Sequence, residues 1–148
     1  MKKFVAIAVE IVSAFAFVLS CTVGSASAAL SVVSANTSDA LTRRGYVLVQ
    51  SGTFKPAVAV LKNAVQLNPN DVNARRYLSY ALMQLGDYIN AEGQLKAISK
   101  IGTLTAADYY LSGSINVRMG NNDRALQEYR SALQLEPEMP AARVGIIE

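Results

Sequence analysis

The feature that most constrains the fold is a glycine–alanine pair that recurs every 34 residues. In each pair the alanine follows the glycine by five positions, and the three pairs are Gly52 with Ala57, Gly86 with Ala91, and Gly120 with Ala125. A fixed period in the range of about 20–50 residues is typical of repeat proteins, in which one supersecondary unit stacks on the next. The sequence therefore predicts three stacked units of equal length.

Each unit is predicted to be a pair of helices joined by a short turn, which makes the two helices antiparallel neighbours. Ser38 is the expected capping residue of the first helix, and Thr105 with Asp108 resembles a capping box for the fifth. Apolar residues at helical spacing predict the following helices: residues 38–52, 54–67, 71–85, 88–99, 109–119 and 123–135, with a short further helix from Pro140.

Small residues are expected where the two helices of a unit meet. The glycine before each turn suits a positive φ, and the alanine five residues later is expected where the second helix crosses the first. Gly45, Ser79 and Gly113 also recur 34 residues apart and are the expected small residues facing that crossing. The helix over residues 54–67 is expected to bury a stripe that includes Leu61 and Leu67.

Residues 1–28 have the composition of a secretory signal. Two lysines follow the initial methionine, residues 11–19 form a run that is apolar except for Ser13, and Ala26-Ser27-Ala28 offers a small-residue cleavage site. The apolar run is shorter than the roughly 20 residues that a membrane-spanning helix needs. Export with cleavage after Ala28 is thus one expectation, and retention as an uncleaved anchor is an alternative.

Cys21 supports another interpretation of the same segment. It is the only cysteine in the chain, and Val18-Leu19-Ser20 before it resembles the lipobox of bacterial lipoproteins. In that family the cysteine is lipidated and becomes the first mature residue. Attachment to a membrane is expected only if Cys21 carries such a lipid; otherwise the protein is expected to be periplasmic or secreted.

Composition argues against several classes of function. The chain has no histidine and one cysteine, so we expect neither a catalytic site nor a metal site. No phosphate-binding glycine loop is present, and no cofactor is expected. The formal net charge is only +3, and the paired arginines at 43–44 and 75–76 are interpreted as solvated helix faces, so nucleic acid is not an expected partner.

The 34-residue units resemble the tetratricopeptide repeat (TPR). The units fall at residues 38–71, 72–105 and 106–139, after a linker over residues 29–37 and before a cap over residues 140–148. The third unit matches best, through Tyr109, Gly113, Ala125, Tyr129, Ala132 and Pro137. The resemblance implies an all-α fold: a right-handed superhelix of three helical hairpins with a short C-terminal capping helix.

The resemblance also implies a binding surface. First helices of this family line a concave groove that binds a peptide or a partner helix. A subset of the family clamps a C-terminal carboxylate, but Thr42 and Ala107 stand where two of its basic residues would be. Tyr46 is expected to stack on Tyr80, and Arg76 on Tyr110. The residues expected in the groove are Tyr46, Gln50, Asn73, Arg76, Tyr80, Gln84, Tyr110 and Arg118.

The expected function is a non-enzymatic scaffold or assembly factor that binds a protein or peptide partner in the groove. One alternative is a structural protein that associates with copies of itself. A further alternative is a lipoprotein accessory of pilus or secretion-system assembly, which rests on family analogy alone.

Overall fold

Helices and short turns alternate along residues 37–147, the part of the chain that this computed structural model describes. Those residues contain no strand. The first helix, α1, is described over residues 37–50, and it is followed by α2 (Phe54–Leu67), α3 (Val72–Gln84), α4 (Tyr88–Ile101), α5 (Ala106–Arg118), α6 (Asn122–Leu135) and α7 (Pro140–Ile147). The predicted all-α fold of three helical hairpins and a short last helix is confirmed. The expected signal, Cys21 and linker residues 29–36 lie outside the described residues.

The turn inside each hairpin is closed by the recurring glycine. Gly52, Gly86 and Gly120 have φ values of 71°, 81° and 78°. After α3, the N–H of Gly86 donates to Met83 O at 3.0 Å and the N–H of Asp87 donates to Leu82 O at 3.0 Å. This pair of bonds satisfies carbonyls that the helix end leaves free. The left-handed backbone explains why glycine recurs at this place.

The two helices of each hairpin approach closely at the recurring small residues. Ala57 and Ala91 are completely buried, and Ala125 is 2% exposed. The small residue of the first helix faces the second helix, and Ser79 Oγ donates to Ala91 O at 2.8 Å as the spacing predicts. A Cβ added to Gly45 would lie 2.4 Å from Leu61 Cγ, and one added to Gly113 would lie 2.6 Å from Tyr129 Cε1. The close approach of the two helices therefore depends on two positions of the second helix, the small alanine and the larger residue one turn after it.

Two expectations for the first hairpin are wrong. Residue 37 is already helical, and the buried hydroxyl of Ser38 donates to Ala64 O on α2 at 3.1 Å, so Ser38 does not cap α1. Leu67 is 44% exposed. A helix turns about 100° per residue, which places Leu67 about 120° around α2 from the buried Leu61 and outside its stripe.

The last helix is held by an aromatic ring placed between two glycines. Tyr129 of α6 is 4% exposed. One edge of its ring would contact a Cβ added to Gly113 of α5, and the other edge would contact one added to Gly145 of α7, each at 2.6 Å. Ala142 of α7 is also fully buried in the same cluster. The absence of side chains at Gly113 and Gly145 lets α7 lie against the third hairpin.

Candidate functional site

The first helices of the three hairpins line one concave groove with a volume of about 800 Å³. Seven of the eight predicted groove residues line it, and Asn73 does not. Whether these side chains contact a partner remains a prediction. The lining residues are Tyr46, Val49, Gln50, Gly52, Phe54, Arg76, Tyr77, Tyr80, Met83, Gln84, Ala107, Tyr110, Leu111, Ser114 and Arg118.

The helical period places these side chains on one face. Residues four apart on a helix are neighbours on its surface, as Tyr46 and Gln50 are on α1 and Tyr80 and Gln84 are on α3. The 34-residue period then repeats the pattern from hairpin to hairpin, so that Gln50, Gln84 and Arg118 occupy the same register near the ends of their helices. The groove therefore has a row of long polar side chains along one rim.

The aromatic rings of the groove pair differently from the expected ladder. Tyr46 packs on Tyr77 with a centroid distance of 5.0 Å, and Phe54 meets the ring of Tyr80 edge-on at 6.2 Å. The ring partner of Tyr46 is therefore Tyr77, which lies one helical turn before Tyr80 on α3. Sequence reasoning missed Tyr77, although its spacing of three residues from Tyr80 places both on one face of α3.

Arg76 is bound to a buried carboxylate instead of stacking on Tyr110. Its Nε donates to Asp108 Oδ1, and its Nη2 donates to Asp108 Oδ2 at 2.7 Å. Asp108 is fully buried, and its Oδ2 also accepts the backbone N–H of Thr105 at 2.9 Å, which completes the predicted capping box of α5. Arg76 also donates through Nη1 to Asn73 Oδ1 at 3.2 Å. Asn73, the predicted residue that does not line the groove, therefore binds Arg76.

The ion pair shifts the protonation equilibria of both groups. Burial alone would raise the pKa of Asp108, but the hydrogen bonds from Arg76 and Thr105 outweigh that effect and hold the pKa below the usual value of a carboxyl group. The hydrogen bond to Asp108 likewise raises the pKa of Arg76. The interpretation of Arg76 as a solvated charge is wrong. It is also wrong for Arg75, which donates to Pro69 O at 2.8 Å and to Gln94 Oε1 at 3.0 Å.

Thr42, the residue one period before Arg76, makes the corresponding contact in the first hairpin. It is 8% exposed, and its hydroxyl donates to Asp71 Oδ2 at 2.7 Å. Asp71 caps α3 by accepting the N–H of Ala74 at 2.9 Å. In both cases an acid at the start of one hairpin binds the previous first helix. Thr42 is thereby removed from the groove surface.

The charge of the groove is carried by one arginine. None of the lining residues is acidic, and Arg76 is neutralised by Asp108. Arg118 has no ion-pair partner within residues 37–147. In the same part of the chain, the hydroxyls of Tyr46, Tyr77, Tyr80 and Tyr110 form no hydrogen bond. The groove thus combines free phenol groups with a single uncompensated positive charge.

Other kinds of site find little support in the described part of the chain. Its residues include no group of three or more histidine, cysteine, aspartate or glutamate side chains that could hold a metal ion. Among the helices of this part, none has the length and apolar character needed to cross a membrane.

Comparison with known proteins gives the same repeat. Tetratricopeptide-repeat family models match residues 48–110 and residues 109–139. No curated protein sequence matches the chain significantly.

Solved structures with the same fold include several tetratricopeptide-repeat domains. The TPR domain of Arabidopsis OM64 has a TM-score of 0.74 and 20% identity, over 77% of this chain and 94% of that domain. The first TPR of Spaghetti (RPAP3) bound to the HSP90 peptide SRMEEVD has a TM-score of 0.72 and 16% identity, over 76% of this chain and 90% of that one. YrrB, described as a TPR protein with an unusual peptide-binding site, has a TM-score of 0.71 and 27% identity, over 76% of this chain and 58% of that one.

Proposed function

Because this chain belongs to the tetratricopeptide-repeat family, we propose that it is a non-enzymatic scaffold or assembly factor. Its concave groove binds a segment of a partner protein. The observation that carries this proposal is the set of four groove tyrosines whose hydroxyls form no hydrogen bond within residues 37–147. Tyrosine and arginine are enriched at binding hot spots because they bring contact area and hydrogen bonds together.

Peptide binding by relatives in fold supports the same proposal. The RPAP3 domain is described with a bound peptide, and YrrB is described with an unusual peptide-binding site. The clamp for a C-terminal carboxylate is not expected here. Thr42 is buried against Asp71, and Ala107 has no charge to offer. A segment bound in this groove is therefore held mainly by side chains other than those of Thr42 and Ala107.

Site-specific photo-crosslinking tests the groove. A photoreactive phenylalanine analogue replaces Gln84 in the groove, and in a control variant it replaces Ile89, which is 77% exposed on α4 outside the groove. We expect a protein partner to be crosslinked from position 84 and not from position 89. Tyr80→Ala combined with Arg118→Gln should reduce that product while the circular dichroism of the helices stays unchanged. Equal products from both positions would contradict groove binding.

The choice of Arg118 over Arg76 in that test follows from the ion pair. Arg76→Ala would leave the buried carboxylate of Asp108 without its partner and would destabilise the fold. A loss of binding in such a variant would therefore not report on the groove.

Self-association is the second candidate function. Val144 of α7 is 53% exposed and Leu135 at the end of α6 is 55% exposed, so the last hairpin presents apolar surface. A copy of the chain packed on this surface would bury it. Sedimentation velocity over a range of micromolar concentrations tests this candidate, and a monomer at every concentration would contradict it.

We also propose that the chain is exported, on the basis of residues 1–28. The alternatives are cleavage after Ala28, lipidation of Cys21 and retention as an uncleaved anchor, and a role as an accessory lipoprotein of pilus or secretion-system assembly depends on lipidation. Intact mass of the protein purified from its own cells distinguishes them, because a mature chain beginning at Ala29 and a chain beginning with lipidated Cys21 differ in mass. A chain that retains residue 1 would contradict both cleavage and lipidation and leave only the uncleaved anchor.

A further inference from the structure

The groove has more unused hydrogen-bonding capacity than a helical partner could satisfy with its backbone. Tyr46, Tyr77, Tyr80 and Tyr110 have free hydroxyls within residues 37–147. Each phenol can donate and accept a hydrogen bond. An α-helix uses its backbone N–H and C=O groups internally. A polyproline II segment has no internal hydrogen bonds, so its backbone groups remain available to the groove.

We propose that the occupant of the groove is an extended, proline-containing segment of polyproline II type with an acidic side chain whose carboxylate binds Arg118. This proposal rests on the proposed function, because it specifies the partner of the same groove. It commits to one chemistry: apolar rings for the aromatic surface, free backbone carbonyls for the phenol hydroxyls, and one negative charge for the single uncompensated arginine.

The aromatic surface fits such a segment. Proline-rich segments dock in aromatic-lined grooves because their preformed helix loses little entropy on binding. Tyr46 and Tyr80 are 42% and 38% exposed, so parts of both rings face solvent in the groove.

The charge of the groove fits a carboxylate at one end of the segment. Arg76 has its guanidinium bound by Asp108, and no lining residue is acidic. Arg118 is the last residue of α5. A cation at this end of a helix is also stabilised by the helix dipole, which would explain Arg118 without any ligand. The experiment therefore measures stability as well as binding.

The first step is a selection that does not presuppose the answer. Phage-displayed random peptides of about twelve residues are selected on the full-length protein and then counter-selected on Tyr80→Ala. Ile89→Ala serves as the control, because this side chain lies outside the groove. Peptides that bind wild type and Ile89→Ala but not Tyr80→Ala depend on the groove. We expect these peptides to be enriched in proline and to contain an acidic residue.

The second step locates the carboxylate. The best selected peptide is synthesised with its acidic side chain and an amidated C-terminus, with glutamine and a free C-terminus, and with glutamine and an amidated C-terminus. Fluorescence anisotropy gives the dissociation constants for wild type, Arg118→Gln and the control Arg130→Gln, since Arg130 lies on α6 and does not line the groove. We expect the acidic side chain to strengthen binding about fivefold, the upper range for an exposed ion pair, and Arg118→Gln to abolish that gain; a gain from the free C-terminus alone would overturn this assignment. Arg130→Gln should leave it unchanged.

The outcomes separate this inference from the proposed function. Groove-dependent peptides that lack proline and repeat apolar residues every three or four positions would show a helical partner, which overturns the inference and leaves groove binding intact. If peptide affinity does not depend on the carboxylate and Arg118→Gln lowers only the melting temperature, the proposed role of Arg118 is overturned. A selection that yields no peptide sensitive to Tyr80→Ala would contradict both proposals.

Discussion

At the scale of single residues, Asp108 connects two hairpins and caps a helix with one carboxylate. It is fully buried, receives two hydrogen bonds from Arg76 and accepts the N–H of Thr105. Asp108→Asn removes the negative charge opposite Arg76, and we expect the free energy of unfolding to fall by about 2–4 kcal/mol. Urea denaturation measures this loss. Asp123→Asn on the exposed first turn of α6 is the control, with an expected change within about 0.5 kcal/mol.

The same carboxylate makes stability depend on pH. Its folded-state pKa is lowered, so its contribution is fully present above the unfolded-state value of about 3.9 and is lost as the pH falls through the folded-state pKa. Unfolding free energies of wild type and Asp108→Asn should therefore converge below about pH 4. A difference that stays constant from pH 7 down to acid unfolding would show that the ionised form of Asp108 is not what stabilises the fold.

Three glycines inside helices should respond in opposite directions to the same substitution. Gly113→Ala and Gly145→Ala each place a methyl group against the ring of Tyr129, and overpacking of this kind costs about 1–3 kcal/mol. Gly93 has no atom within 4 Å of an added Cβ, so Gly93→Ala should stabilise α4 by up to about 1 kcal/mol. Thermal unfolding of the three variants measures the signs. A stabilising Gly113→Ala would contradict the position of the Tyr129 ring.

At the scale of elements, the hairpin turns should depend on backbone conformation alone. Gly86 has a φ of 81° and open space where a Cβ would be, so Gly86→Ala should cost about 1–2 kcal/mol through the left-handed backbone. Gly102, at the end of α4, has equally open space but a φ of −170°. Gly102→Ala should therefore cost nothing. Equal melting temperatures for both variants would mean that the turn after α3 adopts another conformation.

The elements themselves could be predicted from the sequence because their signals are local. Helical spacing, the Thr105–Asp108 capping box and the glycine before each turn placed the helices to within about three residues. Ser38 misled the prediction because serine is a frequent helix cap, whereas here its hydroxyl bonds to a carbonyl 26 residues away. A contact between two helices cannot be predicted from the sequence pattern of either helix alone.

At the scale of the whole molecule, position in the stack should decide what a residue contributes. Val47 of α1 and Ile115 of α5 lie two periods apart in the same register, yet Val47 is 62% exposed and Ile115 is completely buried. Val47→Ala should change the free energy of unfolding by less than about 0.5 kcal/mol, whereas Ile115→Ala should cost about 2–5 kcal/mol. Chemical denaturation compares the two. A cost near 2 kcal/mol for Val47→Ala would show that another segment or another copy covers α1.

The candidate groove could be predicted in position but not in its internal pairing. The family resemblance placed seven of the eight predicted residues on its wall, because the 34-residue register fixes which face each first helix presents. It could not show that Arg76 binds Asp108, since the two residues lie 32 positions apart and belong to different hairpins. It also could not show that Tyr77, and not Tyr80, meets Tyr46. These pairings depend on side-chain geometry between stacked units.

The concentration of tyrosines in the groove also gives the protein a built-in optical reporter. The chain has seven tyrosines and no tryptophan, and four of those tyrosines line the groove. Its ultraviolet emission therefore comes from phenol rings, more than half of which a bound segment would touch. Occupancy of the groove should be readable from native fluorescence without any attached dye, provided that the titrated peptide itself contains no aromatic residue.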